Sequence, residues 1–220
     1  MIELRDISFG YTDTALCQGI DLTLRRGEIA LIRGRSGCGK TSLLRLLNRF
    51  HLPNRGNLLL DGRPYGELPY EELRTRVVYI HQSPVMEHGL PVLENLLLPF
   101  SFGIHKDKTR PDEEELRRLC TGFHLPPGAL HREAAQLSVG EKQRVAIIRA
   151  HLLQPEFMLL DEPLANLDDE SAGAIRKWIA HQSLANLGLV MASHQQVADL
   201  PEGSVRILEI TGGKLLEHRD

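Results

Sequence analysis

The chain has 220 residues, 42% of them hydrophobic and 25% charged, with a formal net charge of −3 and a sequence pI of about 6.4. That length admits one large domain or two small ones with a substantial core, and the composition is that of an ordinary globular protein. The slight acidity and the scatter of Lys and Arg argue against a nucleic-acid surface, so no nucleic acid is expected as a partner.

Three cysteines (Cys17, Cys38, Cys120) stand far apart without a CxxC pair, which indicates neither a disulfide framework nor a zinc site and fits a reducing cytoplasm. The charged, alternating start MIELRDISFG is unlike a signal peptide. No apolar run approaches the roughly 20 residues of a spanning helix, so any membrane association is expected through a partner.

In chain order, the first 33 residues read as strand, turn, strand. Ile2, Leu4 and Ile7 are apolar, residues 16–24 alternate, and Arg26-Gly27-Glu28 forms a turn. Ile29–Arg33 is a short apolar strand entering a glycine-rich loop, and Ser42–Phe50 carries apolar residues at helical spacing. Strands are expected at Asn57–Asp61 and Val77–His81, separated by the turn-rich GRPYGELP. From 84 to about 135, prolines punctuate helical pieces, among them the acidic Asp112–Cys120 stretch. A long helix follows over Gly140–Gln154, stopped by Pro155. Phe157–Leu160 is a buried strand, Glu170–Ala185 a helix and Gly188–Ala192 a strand, and strands close the chain near Val205–Ile210 and Lys214–Glu217. Alternating strands and helices predict a parallel α/β sheet, with the proline-rich middle as an inserted helical subdomain.

The sharpest motif is Gly34-Arg35-Ser36-Gly37-Cys38-Gly39-Lys40-Thr41, which fits GxxxxGK[ST] between an apolar strand and a helix. Its glycines let backbone N–H groups turn inward around phosphate. Lys40 adds charge toward the β and γ phosphates, and the Thr41 hydroxyl is suited to Mg²⁺. Phe157–Leu160 ends in Asp161 and Glu162. Beside a phosphate loop, Asp161 is placed to hold Mg²⁺ through water, and Glu162 to orient a water attacking the γ-phosphate.

Leu137-Ser138-Val139-Gly140-Glu141-Lys142-Gln143-Arg144 resembles the LSGGQ signature of ABC-type ATPases. The family's other motifs follow in order: Tyr11 as the adenine-stacking aromatic, Gln82 as the Q-loop glutamine, Leu164-Ala165-Asn166-Leu167-Asp168 as the D-loop, and His194 in MASH as the switch histidine. The resemblance runs over essentially the whole chain. It implies an ATP-dependent ATPase with a P-loop (RecA-like) α/β core, an N-terminal antiparallel β subdomain and an inserted α-helical subdomain. The whole is one domain over 1–220, with the core at about 1–83 and 151–220 and the helical subdomain at about 84–150.

By the same resemblance, ATP and Mg²⁺ are the cofactors and two copies pair head to tail. Tyr11, residues 34–41 and Ser42 of one copy would bind the nucleotide, and Ser138 and Gly140 would come from the other. Lys40, Glu162, Gln82 and His194 would act in hydrolysis, and Thr41, Gln82 and, through water, Asp161 would hold the metal. An integral membrane permease would dock on the helical subdomain, keeping the chain cytoplasmic but on the inner face of the membrane.

Simpler readings stand beside these. Tyr11 also fits a packed β-turn, Ser138 a plain helix cap, and Gln82 and His194 ordinary polar strand ends. Cys38 reads as a small packing residue that an alkylating reagent could reach. Val139 and Glu141 depart from the signature. A side chain on Gly140 is expected to project toward the partner's γ-phosphate. A non-transport ABC ATPase acting on a chromosome or membrane partner is the alternative function, though no long coiled coil or second ATPase domain accompanies the motifs. VLENLLLPF and FHLPPGALHREAAQLSVGEKQR are similar to ATP-binding subunits of an iron or metal export group. With GGKLLE near Asp220, no C-terminal regulatory domain is expected.

Overall fold

The computed structural model describes residues 1–11, 14–165, 167–182, 186–194 and 205–218, with the backbone alone for Tyr11 and Thr14. Two sheets organise it. The first is antiparallel, in the order β2-β1-β4-β5, from β1 (Ile2–Tyr11), β2 (Thr14–Leu24), β4 (Arg55–Leu60) and β5 (Arg63–Pro64). Apolar residues pair across it, as at Ile2↔Leu24 and Leu4↔Leu22, so alternation drives one face of the sheet into a core.

The second sheet has six strands in the order β10-β9-β3-β8-β7-β6. They are β3 (Ile29–Arg33), β6 (Val77–Ile80), β7 (Phe157–Asp161), β8 (Gly188–Ala192), β9 (Val205–Thr211) and β10 (Lys214–His218). All are parallel except β10, which runs antiparallel to β9. Every residue of β7 and β8 is buried, as expected of parallel strands covered on both faces.

The strands' two-residue period sorts their side chains into two cores. Phe157, Leu159, Val190, Ala192, Ala30 and Ile32 face α1 (Lys40–Leu47) and the antiparallel sheet. Met158, Leu160, Leu189, Met191, Ile29 and Leu31 face the other way. That second core takes in α3 (Val92–Leu97), α4 (Glu113–Gly122), α5 (Val139–His151) and α6 (Asp169–Gln182).

Several elements differ from the expectations. A helix α2 (Tyr70–Arg76) lies after GRPYGELP, with Glu71 and Glu72 in its first turn and Arg74 and Arg76 in its last, matching the helix dipole. It buries only Leu73, so no apolar period marks it. α1 stops at Leu47 instead of Phe50, because the Asn48 amide turns to donate to the Val77 carbonyl and Arg49 takes φ +57°. β6 ends at Ile80, which leaves Gln82 beyond the strand. The acidic run does start a helix, with Asp112 capping the Glu115 N–H. The expected extension of α6 to Ala185 falls outside the described residues.

Candidate functional site

The C-terminal ends of β3, β7 and β8 lie side by side, and the loops leaving them form a cleft of about 500 Å³. It is lined by Leu16, Ser36, Gly37, Gly39, Lys40, Thr41, Ser42, Gln82, Glu162 and His194. Ligands of an open α/β sheet gather at this kind of position.

β3 delivers the chain into residues 34–41. Gly34 has φ +150°, and a Cβ there would sit 2.6 Å from Cys38 Sγ and 2.8 Å from the Ile210 carbonyl oxygen, so only glycine passes. Gly39 then turns into the first turn of α1 at φ +112°. Arg35, Ser36 and Gly37 are exposed and Cys38 is half-buried. Cys38 lines a separate cavity with Leu16, Ile210 and Gly213, on the side of β9 and β10, so its thiol is not in the cleft.

Lys40 is buried to 7% exposure. Its ammonium donates to the carbonyls of Gly34 (2.9 Å) and Arg35 (3.4 Å) and lies 3.8 Å from Glu162 Oε1. The cation is thus held across the loop, with one carboxylate nearby and neutral carbonyls as its direct partners. A phosphate oxygen is a stronger partner than either carbonyl.

Asp161 ends β7 and is itself buried. Its Oδ1 accepts from the Thr41 hydroxyl (2.9 Å) and its Oδ2 from the Tyr79 hydroxyl (2.7 Å). Burial, and then the bond to Asp161 and its charge, hold the Tyr79 phenol well above its ordinary pKa. Glu162 has φ +47°, an uncommon conformation for a side chain-bearing residue. Its N–H bonds to the Ala192 carbonyl of β8 (2.9 Å). Its Oε2 accepts from the His194 ring Nδ1 (2.9 Å) and from the His194 N–H (3.3 Å). Neutral His194 bonded in this way carries its proton on Nδ1 and presents Nε2 as an acceptor.

Lys40, Thr41, Ser42, Gln82, Asp161, Glu162 and His194 are therefore brought to one place. Ser138 and Gly140 do not line this cleft. Ser138 caps α5 in a reciprocal capping box: its Oγ accepts from the Glu141 N–H (3.2 Å) and Glu141 Oε2 accepts from the Ser138 N–H (2.7 Å). Val139 is exposed. The expected reason for glycine at 140 needs correction, because an ideal Cβ there meets Ser171 Oγ of the same chain at 2.8 Å. The side chain of Tyr11 and all of Asn166 lie outside the described residues.

Sequence reading missed Tyr79 and Leu16. The signal for Tyr79 was strand parity, since Val77 and Tyr79 share the face toward α1. Leu16 approaches the loop because its Cβ lies 3.5 Å from where a Cβ on Gly39 would be.

Comparison with known proteins agrees with this geometry. The chain matches the ABC transporter family over residues 17–165. It is 36% identical over 200 residues to the spermidine/putrescine import ATP-binding protein PotA of Oleidesulfovibrio alaskensis, covering 89% of this chain and 52% of that protein. It is 30% identical over 221 residues to the "Probable iron export ATP-binding protein FetA" of Escherichia coli, covering 100% of this chain and 96% of that one. The chain thus spans about half the length of the PotA relative and nearly all of FetA. A solved ATP-binding subunit of an ABC transporter superposes with a TM-score of 0.83 at 26% identity, over 99% of this chain and 89% of that one. The dimeric bacterial ABC transporter cassette MJ0796 gives 0.81 at 25% identity, over 100% of both. With its P-loop, paired carboxylates and capped signature helix in place, the chain belongs to the ABC transporter family.

Proposed function

We propose that this chain hydrolyses Mg-ATP between two head-to-tail copies of itself and so drives a separate membrane protein. The observation that carries the reading is the convergence of Lys40, Thr41, Asp161, Glu162 and His194 on one cleft at the strand ends.

The roles follow from the chemistry of each group. Backbone N–H groups of residues 36–41 and the Lys40 ammonium bind the β and γ phosphates. Glu162 accepts a proton from the water that attacks the γ-phosphorus, as the bond from that phosphorus to the ADP oxygen breaks. General-base help of this kind is worth about 10²–10⁴ in rate, or roughly 3–5 kcal/mol. His194 holds the Glu162 carboxylate in place, and Gln82 borders the same space.

The Thr41 hydroxyl and Asp161 carboxylate, 2.9 Å apart, are hard oxygen donors that suit Mg²⁺, an ion usually held by one or two carboxylates together with substrate phosphates. Bound there, Mg²⁺ would neutralise charge on the β and γ phosphates. Tyr11 is proposed as the adenine platform.

Ser138 and Gly140 stand away from the chain's own cleft, which supports a second copy presenting its α5 N-terminus to the nucleotide, with two equivalent sites. The helical segment, residues 84–150, is proposed as the face that meets the membrane partner. No described helix is long and apolar enough to cross a membrane, so that partner supplies the membrane path. Near-full-length similarity to FetA favours metal export as the transport task.

A phosphate-release assay tests the site. Lys40→Ala is expected to reduce hydrolysis to below a tenth of the parent rate while its melting temperature stays close to that of the parent. Hydrolysis above that level places the reaction elsewhere.

A further inference from the structure

We propose that the Tyr79 hydroxyl is a positioning donor for Asp161, setting which carboxylate oxygen faces the metal and so how strongly Mg²⁺ and ATP binding reinforce each other. The inference rests on the reading of Asp161 as a metal-holding group and adds a residue from a different strand to it.

Strand parity and register bring the groups together. β6 and β7 are parallel, with Tyr79 opposite Leu159, so Tyr79, Leu159 and Asp161 lie on the face of the sheet that packs against α1. From the side of that helix, Thr41 reaches Asp161 Oδ1 at 2.9 Å while Tyr79 reaches Oδ2 at 2.7 Å. Each carboxylate oxygen therefore has one hydroxyl, and the donor on Oδ2 leaves Oδ1 as the oxygen turned toward Thr41. Four residues after Thr41 on α1, the positive charge of Arg45 acts on the Tyr79 hydroxyl from the same side. The ring itself is clamped, with its centroid 5.8 Å from that of Phe50 and 4.6 Å from that of His81, both edge-on. A buried carboxylate without such a donor would turn and lose its fixed direction.

Tyr79→Phe removes one oxygen and keeps the ring. The experiment measures ATP affinity by fluorescent-nucleotide displacement, in EDTA and across a Mg²⁺ titration, alongside hydrolysis. The parent protein should bind ATP more tightly with Mg²⁺. Tyr79→Phe should leave the EDTA affinity unchanged, raise the half-saturating Mg²⁺ at least threefold, and recover most of its hydrolysis rate at high Mg²⁺. Tyr79→Met fills similar space without a donor and should show the same shift; it carries the test if the Phe variant proves too unstable to assay.

Unchanged Mg²⁺ dependence in Tyr79→Phe overturns the proposal. So does a loss confined to Tyr79→Met, which assigns the effect to ring packing, and so does equal weakening with and without Mg²⁺. If the parent itself shows no Mg²⁺ effect on ATP affinity, the metal assignment of Asp161 is what fails.

Discussion

An ideal Cβ on Gly140 would lie 2.8 Å from Ser171 Oγ and 3.2 Å from Ser171 Cβ, so the α5 N-terminus packs tightly on the Ser171 side chain of α6. Ser171 has little room to yield, because its hydroxyl donates to Asp168 Oδ2 (2.8 Å) and its N–H to Asp168 Oδ1 (2.8 Å). The glycine fixes where the signature helix begins through packing inside one chain, independently of any second copy.

Gly140→Ala is therefore expected to destabilise the monomer by about 1–3 kcal/mol, the usual cost of overpacking. Adding Ser171→Gly, which removes the two atoms the new methyl would crowd, should recover a large part of that loss. Thermal or urea melts of the two single variants and the double variant measure the coupling. Simple additivity would show that the close approach does not govern the site.

An ion network ties the start of the chain to both sheets. Asp61 accepts from the Met1 ammonium (2.6 Å), from Arg26 (3.1 and 2.7 Å) and from Arg76, while Glu156 binds Arg76 (2.6 Å) and Arg26. Partial burial pushes the Asp61 carboxyl up, but the bonds from Arg26, the Met1 ammonium and Arg76 outweigh it and hold its pKa well below the usual range. A lowered folded-state pKa adds stability that is complete above the unfolded value of about 3.9 and fades as pH falls through the folded value. Asp61→Asn should cost about 0.5–1 kcal/mol at neutral pH, a figure reduced for the residue's exposure. It should also flatten the fall in stability below about pH 4. Melting curves from pH 7 to pH 2 check both, and an unchanged acid limb would remove Asp61 from the account.

The three thiols differ in environment. Burial pushes Cys17 and Cys120 up to about 11, so at pH 8 only about one thiol in a thousand is ionised. Cys38 is half-buried. Native protein at pH 8 should take up one equivalent of a thiol reagent quickly, lost in Cys38→Ser, and three in denaturant. Comparable native labelling of Cys17 or Cys120 would contradict the packing described.

Residues that act through contiguous sequence are legible from the amino-acid order alone. The loop 34–41 needs its glycines and Lys40 in one short stretch, and Asp161-Glu162 ends a strand apolar enough to recognise on its own. Tyr79 is hidden because its partner lies 82 residues away and only the β6–β7 register joins them. α2 is hidden because one buried residue makes no period. The direction of a side chain at 140 is misread because its neighbour, Ser171, belongs to a helix whose packing on α5 no local pattern reveals. The fold class, by contrast, follows from strand and helix alternation along the whole chain, which many residues specify at once.

The measurement closest to the central claim is the oligomeric state of Glu162→Gln with Mg-ATP. Glutamine keeps the shape of the side chain but cannot take the proton, so ATP should bind and persist. A nucleotide that contacts two copies then favours the dimer by mass action. By size-exclusion chromatography at tens of micromolar, Glu162→Gln should be a monomer without nucleotide and a dimer with Mg-ATP, and adding Lys40→Ala should abolish the shift. A protein that binds ATP yet elutes as a monomer under those conditions would contradict hydrolysis between paired copies.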